Sequence, residues 1–290
     1  MSEAVDANPW AERFICADDK LDVEDPAFAE ARRAATLKRA AGGREAWNAW
    51  ARRMGRLRDD LPGAGRDFDA WSALAHADAS SGHLSSDLDF AAFDFPGTAD
   101  FSNAVFDGDG WFNQARFSGA ASLSGALFCG DAFFEGAHFA GPARFDLAKF
   151  NRSAQFRTAQ FDALANFAGA SFEGDAWFRS VRFAGAADFA NTAFAGEAAF
   201  SEGVFLGSAD FSDARFSDTA SLEAAEFQQF ALFQGTCFLS KVWFTNARFD
   251  ADADFSLARF SAGADVEGVT APALSEGGAL EAFLKNASAG

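Results

Sequence analysis

From Phe90 to Val266, large apolar residues recur in alternating steps of five and six, running Phe90, Phe95, Phe101, Phe106, Phe112 and onward without a slip. The only departures from phenylalanine are Leu123, Leu222 and the closing Val266. Two residues before almost every one stands a small residue, usually alanine, as at Ala104, Ala115, Ala126, Ala137 and Ala148. Two steps make an 11-residue unit, which reads FTNARFDADAD from Phe244 to Asp254. A fixed period of this kind decides the architecture before any local preference does.

An 11-residue apolar period also fits a right-handed helical supercoil. On a helix, however, residues five apart point about 140° from one another, so these phenylalanines would not gather on one stripe. Glycine recurs at one position of the unit, at Gly108, Gly119, Gly130, Gly141, Gly174, Gly185, Gly196 and Gly207. Inside a helix each would cost roughly 1 kcal/mol. A strand meets neither objection. Residues two apart on a strand share a face, so small-x-Phe turns both ends of the triplet inward and its middle outward. The recurrent glycines then fall at corners, where a positive φ is expected of them. The pattern predicts a solenoid of short strands. Its core is a stack of Phe101, Phe112, Phe134, Phe145, Phe156, Phe167, Phe178, Phe189, Phe200, Phe211, Phe233 and Phe244, lined with alanine.

AVFDG (Ala104 to Gly108), ARFSG (Ala115 to Gly119) and ADFSD (Ala209 to Asp213) share one layout. It is a small residue, an outward residue, a central Phe and two more outward residues. This layout resembles the unit of the pentapeptide-repeat family over residues 90–266. The resemblance implies an all-β solenoid, a right-handed four-sided β-helix with Phe and Ala stacked inside. This chain departs by adding one residue to every second side, so four sides make a 22-residue turn of two units, and the whole makes about eight turns. The outward positions agree. Asp109, Asp131, Ser153, Asp175 and Glu197 stand two units apart, and all but one are acidic. Ala120, Pro142, Leu164, Ala186 and Ser208, out of phase by one unit, include no acid. Trp111, Phe133, Trp177 and Trp243 share a second column of the same spacing. Phe112 is therefore expected on Phe134, and Phe134 on Phe156.

Residues 1–89 read as a helical region. One helix is expected from Pro26, with Asp25 as its N-cap and a stop at Gly42 and Gly43. A second runs from Arg44 to Leu57 with Trp47, Trp50 and Met54 on one face. Pro62 to Gly65 reads as a turn, and Phe68 to Leu74 as a short third helix. In residues 267–290 the stretch from Ala273 to Lys285 is helix-prone, with Leu280, Phe283 and Leu284 apolar. A solenoid leaves an unpaired edge and an open core section at each end, so both flanks are expected to cap it. Resemblance to gyrase-binding family members also implies dimerisation through the C-terminal segment. A monomer or an end-to-end homodimer is expected.

The net charge of −18 divides into −5 before Phe90, −11 over residues 90–266 and −2 after. Such a charge repels nucleic acid and anionic membranes. No apolar run approaches the roughly 20 residues of a membrane span, and no basic-plus-apolar leader opens the chain. Cys16, Cys129 and Cys237 are too scattered for a disulfide framework. A cytoplasmic protein without membrane or direct nucleic-acid contacts is expected.

Catalytic chemistry has little to stand on. His76, His83 and His138 read as isolated. The DADAD run (Asp250 to Asp254) turns three carboxylates outward but lacks the glycine and terminal glutamate of a calcium loop. No phosphate loop with a lysine and no GxSxG is present. No catalytic, cofactor or metal residues are assigned, and a non-enzyme is expected. Two classes remain. One is a rigid acidic scaffold for a protein partner. The other, implied by resemblance to quinolone-resistance pentapeptide proteins, is a DNA mimic that binds a type II topoisomerase such as gyrase. Eight turns at about 4.8 Å spread the repeats' charge to about one per 3.5 Å, half the density of duplex DNA. The scaffold reading is preferred. Its surface candidates are Asp109, Asp131, Asp175 and Glu197 beside Trp111, Phe133, Trp177 and Trp243. Outward aromatics in a row mark contact surfaces, and these are expected to be covered by residues 1–85 or by a partner.

Overall fold

A computed structural model describes residues 26–59, 66–85 and 88–271. The expected helix from Ala273 to Lys285 and the Asp25 cap lie outside these residues. Within them, every strand is a two-residue segment that pairs in parallel with its counterpart two units further on, as Ala132 does with Ala154 and His138 with Gln160. Four sheets result. Sheet I runs from Ala77–Asp78 to Ala253–Asp254, and sheet II from His83–Leu84 to Arg259–Phe260, each with nine strands. Sheet III runs from Gly110–Trp111 to Ala264–Asp265, and sheet IV from Asp94–Phe95 to Arg248–Phe249, each with eight. The expected four-sided, 22-residue coil is the one observed.

One coil shows why. Ala132, Phe134, Ala137, Phe139, Ala143, Phe145, Ala148 and Phe150 all point inward and are fully buried. Between coils the rings lie flat on one another: Phe112 and Phe134 at 5.0 Å and 1°, Phe134 and Phe156 at 4.8 Å and 2°. Across the axis Phe134 meets Phe145 edge to face at 5.4 Å and 87°, the arrangement that aligns the positive edge of one ring with the negative face of the other. Four rings per coil fill the section and leave room for little more than a methyl beside them. Thr192 and Thr236 take two of the alanine positions, and their hydroxyls donate to the carbonyls of Phe167 (3.0 Å) and Phe211 (2.8 Å). The buried hydroxyls are thus satisfied.

The corners correct one expectation. Positive φ does recur once per unit, but at Ala92, Asn103, Gln114, Gly125, Gly136, Leu147 and every later residue at that interval to Gly268. The recurrent glycines from Gly108 to Gly207 are not among them. The left-handed residue closes the shorter sides, those of sheets I and III, and the ladder holds it there: Leu147 at φ 59 still donates its N–H to the Ala168 carbonyl at 3.1 Å. Such over-determination lets non-glycine residues occupy the strained region. Gly119 and Gly174 serve the longer corners by letting backbones approach. A Cβ on Gly119 would stand 2.6 Å from the Gly97 carbonyl oxygen, and one on Gly174 would stand 2.6 Å from the carbonyl carbon of Arg152.

The coil also begins earlier than Phe90. Its first strands are Ala77–Asp78 and His83–Leu84, with Ala77, Ala79 and Leu84 buried in the inward positions. Among the described residues three helices precede it: α1 (Pro26–Ala41), α2 (Gly43–Asp59) and α3 (Arg66–Ala75). Helix α2 packs on the Asp94–Phe95 strand through buried Trp47, whose ring lies 5.1 Å from Phe93 and 5.2 Å from Phe95. The Asn48 amide donates to the Ala92 carbonyl and accepts the Asp94 N–H, both at 2.9 Å. One side chain thus replaces the strand missing from that sheet edge.

Helix α1 docks on Ala77–Asp78, where Asp78 meets Arg32 at 3.2 Å and donates its own N–H to the Thr36 hydroxyl at 3.1 Å. Burial pushes the Asp78 carboxyl up, but hydrogen bonds from Ser80 and the Arg32 guanidinium outweigh it and hold the group below its ordinary range. Burial, aided by Arg32, pushes the neighbouring His76 imidazole down.

Two outcomes follow from this core and its cap. Phe167→Ala and Phe178→Ala should each cost about 3–5 kcal/mol in denaturant unfolding, because each opens a cavity in a continuous stack. Acid should release α1 first. Both shifted groups bind protons more weakly folded than unfolded, so their stabilisation is complete above the ordinary histidine value of 6.5. It falls as pH drops through the depressed His76 value, and again below the ordinary 3.8 of Asp78. Amide exchange in α1 should accelerate over that range ahead of the coils, and Asp78→Asn should flatten the lower limb. Uniform exchange across helix and coil would contradict this order.

Candidate interaction surface

Sheet III carries the predicted aromatics in a single register. Reading up the column, Trp111 pairs with Phe133, then Gln155, Trp177, Ala199, Ser221, Trp243 and Asp265. Each residue is the middle, outward member of its triplet, so the strand period alone places it outside. Trp111 and Phe133 stack at 4.2 Å and 9°, which leaves both rings half-buried against each other. Trp177 lies under the guanidinium of Arg157, 5.2 Å from the ring centre, and Trp243 takes the Lys241 ammonium at 5.5 Å. Cations at these distances are attracted to the ring face. The sequence reading missed both partners. Lys241 shares a strand face with Trp243, and Arg157 stands one coil below Trp177, so the register of the coil was the signal that would have found them.

The acidic column is also brought together, two residues before the aromatics, but three of its carboxylates face the backbone. Asp109 accepts the N–H of Asp131 (2.9 Å), Asp131 that of Ser153 (3.0 Å), and Asp175 that of Glu197 (3.1 Å). Each supplies the acceptor that the ladder lacks at that corner. Sheet I repeats the device within a coil, where Asp100, Asp188, Asp210 and Asp254 each accept the N–H two residues on.

The helices make their main contacts at the first coil, α1 on sheet I and α2 on sheet IV. The cover expected from residues 1–85 is thus centred on other sheets for the part that is described.

Two of the histidines read as isolated have carboxylate neighbours. His138 meets Asp162 at 2.7 Å and His83 meets Asp107 at 3.2 Å, each one coil plus two residues away. Both pairs are exposed, which makes them weak surface pairs. The DADAD carboxylates have separate duties: Asp250 holds Arg248, while Asp252 and Asp254 accept the N–H groups of Ala253 and Ser256. Among the described residues no group of three or more His, Cys, Asp or Glu is placed to hold a metal ion. No described helix is long and apolar enough to cross a membrane.

Comparison with known families agrees with the coil. The family model described as pentapeptide repeats (9 copies) matches residues 90–138, 134–182 and 178–226. The chain is a pentapeptide-repeat protein. No curated protein and no solved structure matches it. The match starts at Phe90, although the coil of this pentapeptide-repeat protein starts at Ala77, because Ala79 and Leu84 stand where later coils have Phe.

Carboxylates that feed the ladder should matter to stability more than carboxylates that hold only a side chain. Asp131→Ala, which orphans the Ser153 N–H, should cost about 1 kcal/mol. Asp162→Ala, which frees only His138, should stay within about 0.5 kcal/mol. Equal losses in urea titrations would contradict the division of labour.

Proposed function

We propose that this pentapeptide-repeat protein is a rigid, non-catalytic scaffold that binds a protein partner along sheet III. The observation that carries the reading is the outward aromatic column. The coil requires its inward Phe and Ala, but nothing in its construction requires Trp111, Phe133, Trp177 or Trp243 outside. Four large rings in one register, three of them flanked by acidic residues, fit a contact surface better than an ordinary solvated face. Parallel coils also make the surface stiff, since each is fixed to its neighbours on four sides.

Occupation of a topoisomerase DNA site has family resemblance and net charge in its favour, but no feature of the described surface calls for it. Asp100, Asp109, Asp131, Asp175, Asp188 and Asp210 already accept backbone N–H groups, so corner chemistry accounts for these acids without a mimic.

The test is capture of partners from the native host by the full chain and by a Trp111→Ala/Phe133→Ala double variant of unchanged melting temperature. The scaffold reading expects a specific partner held by the parent and lost by the variant. Identical capture by both would refute it. Gyrase supercoiling should be unaffected by stoichiometric protein, and inhibition there would favour the mimic instead.

A further inference from the structure

Lysine and arginine are unevenly placed along the chain. Residues 26–59 hold nine of them against three carboxylates, a net +6 in a chain of −18, so the other residues carry −24. Helices α1 and α2 thus set a basic pole on the first coil of an acidic rod. Four of the nine cations serve the fold. Arg32 and Arg33 meet Asp78, Arg39 lies over Trp50 at 4.1 Å, and Arg58 lies over Trp71 at 5.3 Å. Lys38, Arg44, Arg52, Arg53 and Arg56 are exposed and make no ion pair among the described residues.

Helix α2 turns Trp47, Trp50, Ala51 and Met54 to the core. Arg52 and Arg56, one turn apart, stand on the opposite face with exposed Ala49, and Arg53 stands at its margin. The packing of the helix does not call for this triplet. Like charges four residues apart on a helix repel. The helix dipole favours cations only in the last turn, which accounts for Arg56 and Arg58 but not for Arg52 and Arg53. As with the outward aromatics, a feature that the fold does not need points to a ligand.

The surroundings select the anion. Glu45 stands two turns before Arg52 on the same face, and Asp59 three residues after Arg56, so a long polyanion running along α2 meets a carboxylate at either end. The coil that α2 packs on carries −11 over residues 90–266. It repels whatever part of a nucleic acid comes within a Debye length of about 8 Å. A helix that binds an anionic membrane inserts an apolar face, and that of α2 is buried against the core. A short acidic segment meets none of these objections. In an extended chain, residues two apart point the same way at about 6.7 Å, close to the roughly 6 Å between helix positions four apart. Carboxylates at alternate positions therefore match Arg52 and Arg56, each of which offers paired donors to a carboxylate.

We propose that Arg52, Arg53 and Arg56 form a docking site for a short, extended acidic segment of a protein partner, with carboxylates at alternate residues. The site is separate from sheet III and does not depend on the scaffold reading.

The probe is a fluorescein-labelled peptide in which glutamate alternates with glycine, compared with its glutamine counterpart. Binding to the full chain is followed by anisotropy in about 50 mM salt, where screening is weak. The glutamate peptide should bind about tenfold more tightly than the glutamine peptide. Arg52→Gln/Arg56→Gln should lose about tenfold in affinity. Its melting temperature should equal or exceed the parent's, because a repulsive pair has gone. Arg182→Gln/Arg215→Gln, which removes the same charge from the middle of the coil, should bind as the parent does.

Equal binding of the two peptides, equal losses in the two double variants, or no binding up to about 1 mM would each overturn the proposal. A single-stranded oligonucleotide of equal charge that binds more tightly than the peptide would overturn it in favour of a nucleic-acid contact. Peptide binding that emerges only after Asp18→Asn/Asp19→Asn/Asp22→Asn/Glu24→Gln would assign the arginines to the chain's own acids and remove the external partner. Trp111→Ala/Phe133→Ala should bind the peptide as the parent does, whether or not it loses captured partners, so the arginine site and the scaffold reading fail separately. Loss of peptide binding in that variant would move the contact to sheet III and refute the site on α2.

Discussion

Hydrogen-bonded coils are held about 4.8 Å apart by the parallel ladder, and phenyl rings laid flat one above another settle at nearly the same separation. Phe145 lies 4.7 Å from Phe167, and Phe112 lies 5.0 Å from Phe134. The backbone and the core therefore ask for one and the same repeat distance. Every other dimension follows. Four rings set the width of the section, the methyl of alanine fills the remainder, and the corners must turn sharply enough to bring the next ring inward. Leucine at Leu123 and Leu222 satisfies the same volume, but a polar group enters only with an internal acceptor, as at Thr192 and Thr236.

Much of this was legible in the sequence because the core obeys one rule at every step. The five-six alternation located the inward phenylalanines, and the out-of-phase outer residues revealed the two-unit coil. The start was missed because Ala79 and Leu84 keep the geometry without the phenylalanine that announced it elsewhere. The role of glycine was misread because composition shows where side chains are small, not why. At Gly119 the need is for space beside the Gly97 carbonyl, whereas the left-handed corners accept Leu147 or Gln114 because the ladder holds them. The carboxylates were legible as columns but not as acceptors, since a column of acids looks the same whether it faces solvent or a neighbouring N–H.

The candidate surface divides along the same line. Register placed Trp111, Phe133, Trp177 and Trp243 on one face, because alternation along a strand is a property of the backbone. Their partners depend on how long side chains lean between coils, so Arg157 and Lys241 emerged only from the structure. The first end differs in kind from the middle. At the first coil Asn48 and Trp47 supply, from a helix, the hydrogen bonds and the apolar plug that every later coil receives from its neighbour.

The relation between the repeat unit and the coil, which is two units long, bears on how such a chain tolerates changes of length. Removing or duplicating a whole coil shortens or lengthens the rod and leaves each sheet continuous. Removing a single unit is equally acceptable to the interior, which repeats at that interval, yet it rotates everything downstream by half a turn. Sheet I would then run into sheet III, and sheet II into sheet IV. An aromatic column divided in this way would finish on the opposite side of an otherwise intact rod. The interior is blind to that event, so the common side shared by Trp111 and Trp243, six coils apart, is a property that only the outside of the molecule can register.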